Sequence, residues 1–179
     1  MRAVTVGGPP GSGTSTLCRL LKEELNIEYV YAGEVFRKRA EEFGLTLAGF
    51  GDLCEKDPIH DRRLDDEMLE LARKGNILLE GRMIGPLCKR SAIPSFRILV
   101  DADPHVRAGR LMERDGGSIE EVVTNMLERE ESEAFRYRNI YGIDPREPVH
   151  YDLVIDSTDL TPEQESEMVM DMLKGEVSK

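Results

Sequence analysis

Residue types that build several classes of protein are scarce in this 179-residue chain, which has no tryptophan, three histidines and three cysteines. The cysteines, Cys18, Cys54 and Cys88, are odd in number and widely spaced, without a C-x-x-C motif. This pattern argues against a disulfide framework and favours reduced thiols. The histidines are equally isolated, so a zinc site has little support.

Long hydrophobic runs are also missing. No apolar stretch approaches the ~20 residues that a helix needs to cross a bilayer. The N-terminal residues lead directly into a predicted strand, without the architecture of a signal peptide. We therefore expect a cytoplasmic protein with no membrane partner. No motif reports the oligomeric state, and a monomer is favoured over an oligomer.

Positive charge is scarce as well, because 24 Lys and Arg stand against 35 Asp and Glu, a formal net charge of −11. Nucleic acid is therefore not an expected partner. Arginines nevertheless outnumber lysines by 17 to 7, and 9 of them lie between Arg82 and Arg138. Since a guanidinium binds phosphate oxygens through two parallel hydrogen bonds, this local concentration favours small phosphorylated substrates.

Strand-like and helix-like segments alternate along the chain, which predicts one α/β domain with a parallel sheet covered by helices. The predicted strands cover residues 2–7, 28–31, 76–80, 97–101 and 151–156. Helices are predicted at 14–25, 33–43, 61–74, within 81–90, at 103–114, from 118 to about 141, and after 161. The glycine-rich segment 44–58 is predicted to form only short helical turns.

The most informative segment follows the first predicted strand. A glycine-rich turn between a strand and a helix leaves backbone N–H groups free to surround a phosphate, and the helix N-terminus adds its positive end. The segment fits the phosphate-loop pattern G-x-x-x-x-G-K-[ST], except that Thr14 stands where the pattern has lysine. Ser15 is placed to bind Mg²⁺ beside the phosphates. We expect phosphate contacts from Gly8, Pro9, Pro10, Gly11, Ser12, Gly13, Thr14, Ser15 and Thr16.

Polar residues follow other predicted strands at their carboxyl ends, where parallel sheets bind ligands. These segments are 32–37 after the second strand, 80–82 after the third and 156–159 after the fifth. On the long predicted helix, Arg129, Glu133 and Arg136 share one stripe. There, one carboxylate between two arginines can hold both side chains in position, and the arginines can supply the charge that Thr14 lacks.

These motifs resemble those of nucleoside monophosphate kinases. Gly33-Glu34-x-x-Arg37 is similar to their G-[DE]-x-x-R segment, and Glu80-Gly81-Arg82 resembles the end of their third strand. Residues 129–136 resemble the R-[DE]-x-x-[DE]-x-x-R element of cytidylate kinases. With its Gly-Ser-Gly-Thr loop and its Tyr-Gly-Ile-Asp segment at 141–144, the chain resembles the archaeal type of that family from end to end. The archaeal-type loop commonly carries threonine at the position of Thr14.

The resemblance implies an α/β three-layer P-loop kinase fold in which a single domain, 1–179, contains a five-stranded parallel sheet in the order 2-3-1-4-5. It implies an acceptor-binding region at about 33–75 and a lid at about 110–130. The implied reaction is direct, in-line phosphoryl transfer from ATP to CMP or dCMP with Mg²⁺.

Site residues follow from the same resemblance. The catalytic positions would be Thr14, Arg129 and Arg136. Gly33, Arg37 and Arg82 would bind the acceptor, and Asp61 is among the side chains able to pair with the cytosine edge. The base of ATP would lie near Arg110, Arg114, Ser157 and Thr158. Mg²⁺ would be bound by Ser15 and, through water, by Glu80.

Other interpretations remain open from the sequence. The same fold can serve AMP, UMP or a small metabolite such as shikimate as acceptor, or bind a nucleotide without turnover. The arginine stripe can instead be a surface ion-pair cluster, and Asp61 a helix N-terminal charge facing water. Arg107 and Arg110 are three residues apart, and that spacing does not show which of them faces the site.

Overall fold

Five parallel strands form the centre of the computed structural model, which describes residues 1–177. The strands are β1 (Ala3–Gly7), β2 (Glu28–Tyr31), β3 (Ile77–Glu80), β4 (Ser95–Asp101) and β5 (Leu153–Asp156). They lie in the order β2-β3-β1-β4-β5, which confirms the predicted topology. Val6 of β1 pairs with Glu80 on one side and with Ile98 on the other, so the carboxyl ends of the central strands lie at one edge.

Helices connect the strands and cover both faces of the sheet. They are α1 (Thr14–Leu25), α2 (Ala32–Glu42), α3 (Leu47–Lys56), α4 (Ile59–Lys74), α5 (Ile84–Arg90), α6 (Pro104–Asp115), α7 (Ile119–Tyr141) and α8 (Pro162–Val177). A 3₁₀ turn, Pro148–His150, precedes β5. None of the helices within residues 1–177 is both long enough and apolar enough to span a membrane.

Two buried clusters make the fold three layers deep, because successive residues of a strand point to opposite faces. Leu78 of β3 belongs to a cluster with Leu17 of α1 and Val169 of α8. Its neighbour Leu79 belongs to a second cluster with Met68 of α4. Helices therefore pack on both sides of the sheet, as the alternation of elements predicts.

Side-chain caps begin two of the helices. Asp103 accepts a hydrogen bond from the backbone N–H of His105 at the start of α6. Ser118 and Glu121 form a reciprocal capping box at the start of α7. Each cap satisfies N–H groups that would otherwise lack an intrahelical partner.

The segment between α2 and α4 differs from its prediction, since residues 47–56 form one ten-residue helix instead of short turns. The Thr46 side chain caps α3 by accepting from the N–H of Gly49. Phe50 and Cys54, one turn apart, are both buried in a small cluster with Ala40 of α2. Burial of this apolar stripe outweighs the low helix propensity of the glycines.

Candidate active site

The phosphate loop, residues 8–16, joins β1 to α1 in a backbone conformation that requires glycine. Gly13 caps α1 with a φ of 98°, in the region that residues with a Cβ avoid. A Cβ at Gly8 would overlap the carbonyl oxygen of Val100. The first N–H groups of α1 have no partner within the helix, so the loop can donate several hydrogen bonds to an anion.

Glu80, at the end of β3, lies beneath the start of α1 and is only 3% exposed. Its Oε1 accepts hydrogen bonds from the hydroxyls of Thr14 and Ser15, each at 2.7 Å. Its Oε2 accepts a hydrogen bond from the hydroxyl of Tyr29 on β2. At the position where the phosphate-loop pattern has lysine, Thr14 thus contributes a neutral hydroxyl donor.

Arg107 of α6 supports the phosphate loop from behind. Its buried guanidinium donates to the carbonyl oxygens of Pro10 and Ala102, both at 3.1 Å. It also forms an ion pair with Glu130 of α7. One side chain therefore joins the loop to the turn after β4 and to α7.

Arg110, one turn further along α6, reaches the same loop. It donates to the hydroxyl of Ser157 at 2.9 Å, to the carbonyl of Ser157 at 2.7 Å and to the carbonyl of Ser12 at 3.4 Å. The Ser157 hydroxyl in turn donates to the Ser12 carbonyl at 2.8 Å. The structure thus brings Arg110 and Ser157 together beside the loop, with the hydroxyl of Ser157 already bonded within the protein.

Two other residues predicted near the ATP base lie differently. Thr158 bonds to Asp156 at 2.6 Å and accepts from the N–H of Asp103 at 2.9 Å. Arg114 forms an ion pair with the adjacent Asp115 at 2.6 Å, and its side chain is 64% exposed. Because α6 turns Arg114 toward solvent, the structure does not bring it to the loop.

A cleft of about 560 Å³ lies between α2, α3, α4 and α7, at the carboxyl ends of β2 and β3. A small organic ligand needs a volume of this size. A smaller cavity of about 40 Å³ between Gly8 and α7 shares Arg82 and Glu133 with the cleft, so the phosphate loop and the cleft are adjacent. The cleft is lined by every predicted acceptor-binding residue and by both predicted arginines of α7: Gly33, Arg37, Asp61, Arg82, Arg129 and Arg136.

Glu133 of α7 bridges two of these arginines. Its carboxylate accepts from Arg82 at 2.8 Å and from Arg129 at 2.9 Å. Burial acts to raise the pKa of Glu133, but the two guanidinium groups outweigh it and hold this pKa at about 2. Arg82 also donates to the carbonyl oxygen of Gly8. An ionised Glu133 therefore fixes two positive groups beside the phosphate loop.

Arg136 has a different partner from the one predicted. Its Nε donates to Asp61 of α4 at 2.9 Å, and one Nη donates to Ser132 at 3.0 Å. The Arg136 and Asp61 side chains are only 6% and 4% exposed. Two interpretations are therefore wrong: Asp61 does not face water, and Glu133 does not link Arg129 to Arg136. The reason is that α4 offers Arg136 a carboxylate across the cleft.

Asp65 lines the cleft one turn beyond Asp61 and accepts a hydrogen bond from the hydroxyl of Tyr141 at 2.7 Å. Burial raises the pKa of Asp65 to about 7, and the neighbouring carboxylates of Asp61 and Asp66 act in the same direction. The Tyr141 hydroxyl and Arg136 oppose this shift. The charge of the cleft therefore changes near neutral pH.

The oxygen atoms near the loop suit magnesium. Within the described part of the chain, residues 1–177, no three His, Cys, Asp or Glu side chains are grouped so as to hold a metal by themselves. Mg²⁺ bound to a nucleotide keeps several waters and needs only one or two protein oxygens. The hydroxyl of Ser15 and the carboxylate of Glu80, which lie within hydrogen-bonding distance of each other, meet that requirement.

Comparison with known families decides the classification, because residues 3–159 match the model described as "Cytidylate kinase-like family". The chain belongs to this family. The cytidylate kinase of Pyrococcus furiosus is 41% identical over 160 residues, which cover 89% of this chain and 82% of that protein. The cytidylate kinase of Methanococcoides burtonii is 40% identical over 172 residues, covering 96% and 94%.

Solved structures with low sequence identity to this chain share its fold. Shikimate kinase from Acinetobacter baumannii, in complex with shikimate, has a TM-score of 0.62 at 13% identity and covers 100% of this chain and 96% of its own. An uncharacterized protein from Eubacterium ventriosum has a TM-score of 0.74 at 16% identity, with coverages of 97% and 99%. These similarities confirm the P-loop kinase architecture of this family member.

The sequence analysis missed Tyr29, which contacts the Glu80 carboxylate, and left the orientation of Arg107 undecided, although Arg107 contacts the loop. Tyr29 pairs with Leu78, which lies on the same face of β3 as Glu80 because strand residues alternate with period two. The sequence predicts β2 and β3 but not their register. The available signal for this contact was a tyrosine in β2, the strand that neighbours β3 and its terminal Glu80.

Proposed function

We propose that the protein transfers the terminal phosphoryl group of ATP directly to CMP or dCMP, which yields ADP and CDP or dCDP. The observation that carries this proposal is the position of Arg82. Its guanidinium lines the cleft, bonds to the phosphate loop at Gly8 and is held by Glu133. A fixed positive charge between two phosphate sites suits a reaction between two phosphorylated substrates. Relatives named cytidylate kinase support CMP as the acceptor.

The acceptor nucleotide is assigned to the cleft, within an acceptor-binding region of about residues 33–75 together with α7. Arg37 and Arg82 are assigned to its phosphate, beside the backbone of Gly33. Asp61 lies deeper, paired with Arg136. An anionic acceptor is favoured because the guanidinium of Arg37 is exposed at the cleft wall and stacks on the ring of Tyr31.

The chemistry requires positioning and positive charge more than covalent help. An oxygen of the acceptor phosphate is itself the nucleophile, so no enzyme-bound intermediate is needed. Arg129 and Arg136 provide positive charge on the α7 side of the cleft. In a loop that has threonine at position 14, these arginines and Arg82 replace the electrostatic contribution of the usual lysine.

Magnesium is assigned to Ser15, by its hydroxyl, and to Glu80, through water. When bound there with ATP, Mg²⁺ neutralises charge on the β- and γ-phosphates. The protein contributes two oxygen groups that are already close together and held by neighbouring hydroxyls. Thr14 and the backbone N–H groups of the loop orient the phosphates.

The adenine end of ATP is assigned to Arg110, near Ser157 and Thr158 and in preference to the exposed Arg114. A guanidinium can stack on an aromatic base. The region of about residues 110–130 acts as the lid in this proposal, with the Gly116-Gly117 break as its flexible point. Closure over both nucleotides would exclude water that otherwise hydrolyses ATP.

We further propose that the protein acts as a monomer in the cytoplasm, with nucleotides rather than nucleic acid or membranes as partners. The acidic composition supports this, with a sequence pI of about 4.8. Cys18, Cys54 and Cys88 are all free and buried, as expected for a reducing compartment.

An acceptor screen tests the proposed function. ATP consumption is measured with Mg²⁺ and, in turn, CMP, dCMP, UMP, AMP, GMP and shikimate. We expect CMP and dCMP to give the highest kcat/KM. A faster reaction with another acceptor would move the assignment to that acceptor. Binding of ATP without turnover of any acceptor would contradict the kinase proposal.

A further inference from the structure

The carboxylate of Glu80 is held by hydroxyl groups from two elements. Thr14 and Ser15 approach its Oε1 from the start of α1, each at 2.7 Å. Tyr29 approaches Oε2 from the neighbouring strand β2. A carboxylate has about four acceptor sites, so these three donors leave little rotational freedom.

The position of Tyr29 follows from strand register. Tyr29 pairs with Leu78 and Tyr31 with Glu80. The ring of Tyr29 packs against the cluster that contains Leu78, and its hydroxyl extends diagonally to Glu80. The sheet itself therefore aims this hydroxyl at the carboxylate.

The three donors are not equivalent once a nucleotide is bound. Ser15 is the residue whose hydroxyl oxygen a phosphate loop offers to Mg²⁺, so the geometry of its hydrogen bond to Glu80 depends on whether the metal is bound. Thr14 lies in the loop that the phosphates contact. Tyr29 alone of the three approaches from outside the loop, so its hydrogen bond is independent of what the loop binds.

We propose that Tyr29 is a positioning residue for the magnesium end of the site, because its hydroxyl holds Oε2 of Glu80 and thereby keeps Oε1 directed at Ser15 and at the water shell of the metal. This inference rests on the proposed function, in which Ser15 and Glu80 serve Mg²⁺. Because the loop has no lysine, the orientation of Glu80 depends on neutral hydroxyl donors. Among these donors, Tyr29 is the one whose side chain is anchored in the sheet, outside the loop.

The protonation of Tyr29 is compatible with this task. Burial, together with the nearby Glu80 carboxylate, raises the pKa of Tyr29 far above its ordinary value. The phenol therefore remains a donor throughout the physiological pH range. Phenylalanine would fill the same space without donating.

The test uses Tyr29→Phe and measures binding rather than turnover. Calorimetry gives the Kd of a non-hydrolysable ATP analogue with Mg²⁺ and with EDTA, and the ratio of the two values reports how strongly the metal enhances binding. We expect Tyr29→Phe to reduce this ratio about tenfold, with the Kd in EDTA unchanged. Thermal unfolding of the variant establishes that it is folded.

A double-mutant cycle with Glu80→Gln links the effect to the carboxylate. If Tyr29 acts through Glu80, Tyr29→Phe has no further effect on the ratio in the Glu80→Gln background. Tyr151→Phe is the matched control, since it removes another tyrosine hydroxyl, one bonded to the carbonyl of Pro145. We expect the control to leave the ratio unchanged.

Three results would overturn the inference: an unchanged ratio in Tyr29→Phe, an equal loss of affinity with and without Mg²⁺, or additive effects in the double variant. The second of these would assign Tyr29 to support of the loop alone. Because the analogue binds without CMP, the outcome does not depend on the acceptor. Failure of CMP phosphorylation and failure of this inference are therefore distinguishable.

Discussion

The phosphate loop and the cleft lie side by side, yet they differ in the groups that they present. Residues 8–16 contain no lysine or arginine, and the loop presents backbone N–H groups and hydroxyls. The cleft wall instead includes four arginines, Arg37, Arg82, Arg129 and Arg136. In this kinase, positive charge comes from arginines of neighbouring elements, among them Arg82 beside the loop, rather than from a lysine within the loop.

The two regions are also stabilised differently. The loop conformation arises from local backbone geometry, with Arg107 and Arg110 bonded to its carbonyl oxygens from behind. Two of the cleft arginines are held by carboxylates from distant parts of the chain, Arg82 by Glu133 and Arg136 by Asp61. Breaking a buried pair by removing one partner is costly because the other charge is left uncompensated. Substitutions that break these buried pairs should therefore cost more stability and activity than substitutions in exposed ion pairs.

The largest expected effect is at Arg82. Arg82→Gln should lower kcat/KM for CMP about 10³-fold, because it removes the charge that lies between the two phosphate sites. Steady-state kinetics measure this loss. Arg97→Gln is the matched control: the Arg97 and Arg82 side chains are both 19% exposed, and Arg97 is paired with Asp152, outside the cleft lining. Activity of Arg82→Gln within tenfold of the unsubstituted protein would remove Arg82 from the reaction centre.

Glu133 should come next. In Glu133→Gln, Arg82 and Arg129 lose their shared counter-charge and repel each other, so we expect kcat/KM to fall about 10²-fold. Asp152→Asn, which breaks the Arg97 pair, should retain full activity. If both variants behaved alike, the Glu133 bridge would have no role in the reaction.

The lowered pKa of Glu133 also predicts how the stability of the protein changes in acid. Its pKa of about 2 in the folded protein lies below the unfolded value of roughly 4.3. Its contribution to stability is therefore present above about pH 4.3 and is lost as the pH falls toward 2. Urea unfolding at several pH values should show less acid destabilisation in Glu133→Gln than in the unsubstituted protein.

The effect of Asp65 on the pH dependence of stability should have the opposite sign to that of Glu133. Its pKa in the folded protein, about 7, lies above the unfolded value of roughly 3.9, so ionisation opposes folding. The stability that the protonated form provides is lost as the pH rises through 7. We expect Asp65→Asn to be more stable than the unsubstituted protein by about 4 kcal/mol at pH 8 and nearly equal to it at pH 4. Urea unfolding of the two proteins at pH 4 and pH 8 measures this difference, and equal stability at pH 8 would contradict the prediction.

The smallest effect concerns the adenine end. Arg110→Gln should raise the KM for ATP about tenfold, because Arg110 bonds to the loop and to Ser157 and is the guanidinium that we assign to the adenine base. Arg114→Gln should change this KM less than twofold, since Arg114 is exposed and paired with its neighbour. Equal effects in the two variants would contradict the assignment of Arg110, in preference to Arg114, to the adenine end of ATP.

Local patterns predicted much of the fold. The glycines of the loop and the alternation of elements are short-range features, and the structure confirms the parallel sheet covered by helices. The strand order, which the structure also confirms, followed from the resemblance to nucleoside monophosphate kinases. The ten-residue α3 was missed because its stability comes from burial of Phe50 against α2, which spacing within 44–58 does not report.

The candidate site was only partly predictable, for a related reason. The sequence singled out Arg82, Asp61 and the stripe on α7, but it paired Glu133 with Arg136. The actual pairs, Arg82 with Glu133 and Arg136 with Asp61, join residues 51 and 75 positions apart. No periodic pattern within one helix contains that information.

The sequence by itself determined the class of chemistry: a strand, a glycine-rich turn and a helix N-terminus form a phosphate site through backbone geometry alone, and many arginines in an acidic chain indicate anionic ligands. Only the tertiary structure decided which carboxylate holds which arginine, and that Tyr29 reaches Glu80. Backbone geometry depends on neighbours in the chain, whereas ion pairs and strand register depend on which distant elements pack together.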